Sequence, residues 1–174
     1  MGDSLTDGIR SRLPALQRRF GFEATIDAQT GRDIDAGVAP LKKIMTGEDL
    51  VVVALGTNDA RSGLTATDAD ALIEKMLAVI GDKPVLWVNV YRADTKGTTA
   101  AAQLFDTELT AAAARHPNLT VLDWSSYIQT RPELMGGDHI HLTSAGYDER
   151  AAWMAGQITA GLRLPRPDAP ELIR

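Results

Sequence analysis

Residues 50–59 read Leu-Val-Val-Val-Ala-Leu-Gly-Thr-Asn-Asp, six apolar residues that stop at a glycine and a polar turn. A run without polar alternation is what a strand covered on both faces requires. Helical spacing flanks it. Upstream, Ile34, Val38, Leu41 and Ile44 recur at helical intervals within 33–45, and residues 46–49 break the pattern. Downstream, Thr67 is placed to cap a helix carrying Ala71, Leu72, Met76, Leu77 and Ile80. Gly81-Asp82-Lys83-Pro84 ends that helix before a second apolar run, Val85-Leu86-Trp87-Val88.

The alternation continues outward to both ends. Spacing predicts helices over 8–20, 98–115 and 144–162, a strand over 119–123, and a first strand over 22–28, where Phe-Glu-Ala-Thr-Ile-Asp-Ala alternates before Thr30-Gly31. Strands that alternate with helices imply an α/β fold built on a parallel sheet. Residues 1–163 read as one domain. Residues 164–174 hold three of the eight prolines and read as a Pro-rich C-terminal tail.

Composition removes several function classes. Eighteen Lys and Arg against 23 Asp and Glu leave a net charge of -5 without a basic block, which argues against nucleic acid as a partner. The absence of cysteine excludes disulfides, thiolate metal sites and a Cys nucleophile. No apolar run approaches the roughly 20 residues of a membrane-spanning helix. The compartment stays open: cytoplasmic for a chain beginning at Met1, extracytoplasmic if a leader precedes it.

In open α/β sheets the ligand site lies beyond the carboxyl ends of the strands. Those positions hold Gly31, Gly56-Thr57-Asn58-Asp59, Asn89-Val90-Tyr91-Arg92 and the loop to Asp138-His139-Ile140-His141, while Gly2-Asp3-Ser4-Leu5 precedes a helical stretch. A serine nucleophile needs a base and the base needs an orienter. Asp138 and His141 are close enough in sequence for one loop to set the carboxylate on the imidazole while the far nitrogen reaches Ser4. The Ser4 and Gly31 N–H groups and the Asn58 amide could serve a developing oxyanion. Each residue also has a structural reading: Ser4 as a helix cap, Gly31 and Asn58 as turn residues, and His139 with His141 as a metal pair if they share a strand face.

Taken together, the four blocks Gly2-Asp3-Ser4-Leu5, Gly31, Gly56-Thr57-Asn58-Asp59 and Asp138-His139-Ile140-His141 resemble the SGNH hydrolases, also called GDSL-like lipases and acylhydrolases. The resemblance implies a flavodoxin-like three-layer α/β/α sandwich, Ser4 as nucleophile, His141 as base and acid, and Asp138 as its orienter. It implies an oxyanion hole of Ser4, Gly31 and Asn58, with no metal or organic cofactor. The expected activity is a serine esterase for short acyl groups on a small-molecule or carbohydrate ester, with Tyr91 and Arg92 as substrate contacts. Val121-Leu122-Asp123-Trp124 is similar to SGNH domains of bacterial cell-envelope acyltransferases. That leaves an O-acyltransferase or deacetylase of envelope polysaccharide, or a catalytically silent glycan-binding domain, as alternatives.

One departure carries a structural expectation. The family places an apolar strand before the Gly-Asp-Ser turn, where this sequence has Met1 and Gly2. A gap inside the sheet is therefore expected, leaving a marginal chain unless an upstream segment, another segment or another chain fills it.

Overall fold

The computed structural model describes residues 1–163, so the Pro-rich tail expected over 164–174 lies outside the described residues. Three parallel strands form the sheet: β1 (Val51–Val53), β2 (Val85–Val88) and β3 (Leu119–Leu122), in that order, with Val51, Val85 and Leu119 in register. Period-2 geometry then divides the apolar residues between two cores. Val51, Val53, Val85 and Trp87 face one core with Ile34, Ile73, Phe105 and Leu109, whereas Leu86 and Val88 face the other with Leu5, Ile9, Ile128 and Met154.

Helices α3 (Ile34–Ile44), α4 (Ala66–Ile80) and α5 (Lys96–Arg115) supply the first core. The second is supplied by α1 (Ser4–Asp7), α2 (Leu13–Phe20), α6 (Trp124–Gln129) and α7 (Ser144–Gly161). This is the expected three-layer α/β/α arrangement. β2 is buried at all four positions, and Trp87, fully buried, donates its Nε1–H to the Leu55 carbonyl at 3.0 Å. Each large apolar side chain buried in this way contributes about 1.5–3 kcal/mol.

Local chemistry sets the helix ends and corrects several expected ones. Thr65, not Thr67, caps α4, its hydroxyl accepting from the Asp68 N–H. The capping box of Thr95 and Thr98 starts α5 at Lys96, two residues earlier than expected. Of the helix expected over 8–20 only 13–20 is formed: α1 ends at Asp7, a turn covers 8–12, and α2 begins at Leu13 with a proline in its first turn. Asp123 ends β3 and caps α6, which the apolar pattern did not indicate.

The strand expected over 22–28 is not formed. Within it only Ala28 makes a bridge, parallel to Gly2, because the place beside it is filled by two residues. The Met1 amino group donates to the Val52 carbonyl at 2.9 Å, and the Ala54 N–H donates to the Met1 carbonyl at 2.9 Å. On the other side, the Gly2 N–H donates to Asp27 at 2.9 Å and the Gln29 N–H to Gly2 at 3.1 Å. Met1 and Gly2 thus occupy one strand position between β1 and residues 27–29. Next to them lies a cavity of about 940 Å³, lined by Phe22, Ile26, Leu41, Leu50, Val52 and Met154 among others. Burial lowers the Met1 ammonium to about 6.

Candidate active site

Ser4 is the first residue of α1, at the end of this two-residue strand. Asp3 is fully buried and caps the helix, its Oδ1 accepting from the Leu5 N–H at 2.9 Å. Across the second core, the Met135–Leu142 bridge closes a loop that the Gly136 N–H tightens by donating to the His141 carbonyl. That loop holds Asp138 and His141, and Thr143 then caps α7.

The two elements meet at the serine. Ser4 Oγ lies 2.9 Å from His141 Nε2, and His141 Nδ1 lies 2.7 Å from Asp138 Oδ2. A carboxylate can only accept, so Nδ1 carries the proton and Nε2 is left to accept from the Ser4 hydroxyl. Asp138 Oδ1 is fixed in turn by the N–H groups of Ile140 and His141 at 3.1 and 2.9 Å. The hydrogen bond from His141, followed by these N–H groups, lowers the Asp138 carboxyl to about 2.

His139 has φ 56, the left-handed turn conformation, so it and His141 do not share a strand face. The metal-pair reading thereby loses its geometric premise. Among the described residues no group of three or more His, Asp or Glu is arranged to hold a metal ion.

The other site residues lie on two tied loops. Asn58 Nδ2 donates one proton to the Arg32 carbonyl at 3.0 Å, which fixes the amide and leaves its second proton available. Gly31, at φ 76, lies between Gln29, which is bonded to Gly2, and Arg32, which is bonded to Asn58. The left-handed φ favours glycine there. Both carboxylate oxygens of Asp59 accept from the Ile34 N–H at 3.2 Å, and burial raises this carboxyl to about 6.

Arg92 clasps the same loop from the other side. Its guanidinium pairs with both oxygens of Asp94 and donates to the carbonyls of Thr57 at 3.0 Å and Ala60 at 3.2 Å. Tyr91 is half-buried against the second core. Trp124 is buried in that core, stacked with Tyr127 and edge-on to Trp153.

Sequence reasoning overlooked two acids, the half-buried Asp106 and the fully buried Asp3. Asp106 accepts from the Val90 N–H at 2.7 Å, just beyond β2, and burial raises it to about 7. Asp3 was legible only as part of the Gly-Asp-Ser turn, while burial raises its carboxyl above the usual range. Asp106 lies in no motif, and the burial of Asp3 is not legible from the Gly2-Asp3-Ser4-Leu5 block that contains it.

The profile of the GDSL-like lipase/acylhydrolase family matches residues 1–149. The chain belongs to this family. Among solved structures, the GDSL chain is similar to the C-terminal catalytic domain of Streptococcus pneumoniae peptidoglycan O-acetyltransferase A, at 22% identity and TM-score 0.75, covering 93% of this chain and 89% of that one. It is also similar to a lipase/acylhydrolase from Enterococcus faecalis, at 22% identity and TM-score 0.73, covering 97% and 96%. An acetyl xylan esterase matches at 20% identity and TM-score 0.72, covering 90% and 96%. Among curated protein sequences none matches the GDSL chain.

Proposed function

We propose that this GDSL protein is a serine esterase acting on short acyl esters, with the relay from Ser4 through His141 to Asp138 as its catalytic device. The observation that carries this reading is the continuous pair of contacts, 2.9 Å from Ser4 Oγ to His141 Nε2 and 2.7 Å from His141 Nδ1 to Asp138. Ser4 Oγ attacks the ester carbonyl carbon as its proton passes to Nε2. The tetrahedral oxyanion is met by the Ser4 and Gly31 N–H groups and by the free proton of the Asn58 amide. Its collapse breaks the ester C–O bond, and His141 returns the proton to the departing alcohol. Water then enters, gives one proton to Nε2, and releases the acid as Ser4 regains its hydrogen.

Arg92 supports Asn58 in this scheme by holding the Thr57–Ala60 loop, and Tyr91, just beyond β2, is assigned the substrate contact. A second reading sends the acyl group to a sugar hydroxyl instead of water. It is favoured by the likeness to the catalytic domain of a peptidoglycan O-acetyltransferase. The two share the acyl-enzyme and differ in the acceptor. An acetyl ester incubated with and without a glycan distinguishes them, since acetylated glycan appearing faster than free acetate selects transfer.

Intact mass after incubation with a fluorophosphonate tests the shared step. One adduct on the unmodified chain and none on Ser4→Ala is expected. An unmodified chain that takes no adduct, or a Ser4→Ala chain that keeps it, refutes the assignment.

A further inference from the structure

Arg32 follows Gly31 and is only 5% exposed, a rare place for a charged side chain unless it is paired. Its guanidinium lies between the Met1–Gly2 strand and residues 27–29. Nη2 pairs with Asp27 Oδ1 at 2.8 Å and reaches Gln29 Oε1 at 3.4 Å. Nη1 lies against Met1 Sδ and donates to the Asp27 carbonyl at 3.2 Å and to the Gly2 carbonyl at 3.5 Å. Those two carbonyls are also the acceptors that join the strands here, Asp27 taking the Gly2 N–H and Gly2 taking the Gln29 N–H. The guanidinium therefore braces both hydrogen bonds of this short ladder.

The main chain of the same residue faces the oxyanion loop. The Arg32 carbonyl takes one Asn58 Nδ2 proton at 3.0 Å. The Arg32 N–H closes a turn on the Gln29 carbonyl at 3.2 Å, with Gly31 at φ 76 inside it. Arg32 thus meets the support of each proposed oxyanion donor: Gly2 leads the chain to Ser4, Gly31 is its own neighbour, and Asn58 is held by its carbonyl.

A buried ion pair contributes little stability by itself, because desolvation offsets most of the attraction. A guanidinium instead offers geometry, a planar fork whose donors serve a carboxylate and two carbonyls at fixed angles. We propose that Arg32 is a positioning residue of the oxyanion hole: its guanidinium locks Gly2 to residues 27–29 while its carbonyl aims Asn58, so that the Ser4, Gly31 and Asn58 donors converge. The proposal rests on the esterase reading and extends it. Arg32 touches neither the ester nor the reacting atoms. Donors aimed in this way act on charge that develops in the transition state, so loosening them lowers kcat and leaves KM nearly unchanged.

The test measures kcat and KM for an acetyl ester, fluorophosphonate labelling and thermal melts. The variants are Arg32→Met, Arg32→Lys and Asp27→Asn, each alone and combined with Asn58→Ala. Arg32→Met should lower kcat about 100-fold, the scale of a small misplacement of reacting groups. Arg32→Lys keeps a charge opposite Asp27 and should recover most of the Tm lost in Arg32→Met. It should recover little of the kcat, because one ammonium on a flexible stem does not reproduce the fork. In the Asn58→Ala background each Arg32 substitution should cost about tenfold less than it does alone, since part of what Arg32 arranges is already gone. Asp27→Asn weakens the pair at a partly exposed carboxylate and should show the same dependence on Asn58, which decides the question if Arg32→Met does not fold.

A wild-type kcat in either Arg32 variant would overturn the proposal. Losses that simply multiply with that of Asn58→Ala in folded Arg32→Lys or Asp27→Asn would overturn it as well. So would a kcat that recovers in step with the Tm in Arg32→Lys, the behaviour of a purely structural charge. In each case, labelling of the unmodified chain and not of Ser4→Ala leaves the esterase reading intact. An unmodified chain that never labels removes the esterase reading first, and the positioning role falls with it.

Discussion

Replacing Asn58 with alanine tests the oxyanion assignment most directly. The Asn58 amide is anchored by one hydrogen bond, 3.0 Å to the Arg32 carbonyl, and that bond aims its second proton. Alanine removes this donor while the loop remains held by Arg92 on the Thr57 and Ala60 carbonyls and by Asp59 on Ile34. Two of the three proposed donors, both main-chain N–H groups, would remain. Losing a preorganised donor of this kind costs about 2.7–4 kcal/mol at the transition state, or about 100 to 1,000-fold in kcat. KM should change little, because the bond reaches full strength only as the carbonyl oxygen becomes charged. The assay is p-nitrophenyl acetate hydrolysis at several concentrations, with a thermal melt to show that the chain is folded. A kcat within threefold of wild type in a folded Asn58→Ala protein would remove Asn58 from the oxyanion hole.

Asp138→Asn should preserve the loop yet offer an N–H to His141 Nδ1, forcing the wrong tautomer at Nε2. A kcat loss of about 10,000-fold is expected, as for a triad deprived of its orienter, and initial rates would check it. Asp106→Asn should make stability less dependent on pH. Its folded carboxyl, raised from 3.8 to about 7, binds a proton that the unfolded chain has lost, so this contribution exists at low pH and disappears as pH rises through about 7. Relative to wild type, Asp106→Asn should gain about 1–2 kcal/mol between pH 5 and pH 8 after a discount for partial solvent screening; urea melts giving a constant difference would contradict the burial argument. Gly56→Ala should lower the Tm sharply, since φ is +120 there and a Cβ would stand 2.6 Å from Phe105. Strain and overpacking of this kind each cost about 1–3 kcal/mol.

The parts of the fold that were legible are those whose information is local. Val85–Val88 could be read because all four positions are buried, and apolar character is then independent of the partner strand. Residues 22–28 misled because alternation states only that a segment could be half-buried. Whether it pairs depends on the residues beside it, and here Met1 and Gly2 reach only Ala28 and its neighbours. α6 was hidden because Asp123 ends one element and caps the next. In the site, Ser4, Asp138 and His141 were visible as residue types at marked positions. Their approach was not, since Ser4 and His141 lie 137 residues apart. Arg92 could be seen as a cation beyond a strand; its hold on Thr57 and Ala60 spans 35 and 32 residues and leaves no trace in spacing.

Met1 and Gly2 tie the nucleophile turn to the sheet. Four main-chain hydrogen bonds join them to β1 and to residues 27–29, and the chain then turns directly into Ser4. Local opening of these four bonds requires less than global unfolding, and it releases the nucleophile turn with them. The amide protons of Gly2, Gln29 and Ala54 should therefore exchange together, and faster than those of β2. A mutation or ligand that slows their exchange should raise the fraction of molecules in which Ser4 stands ready beside His141.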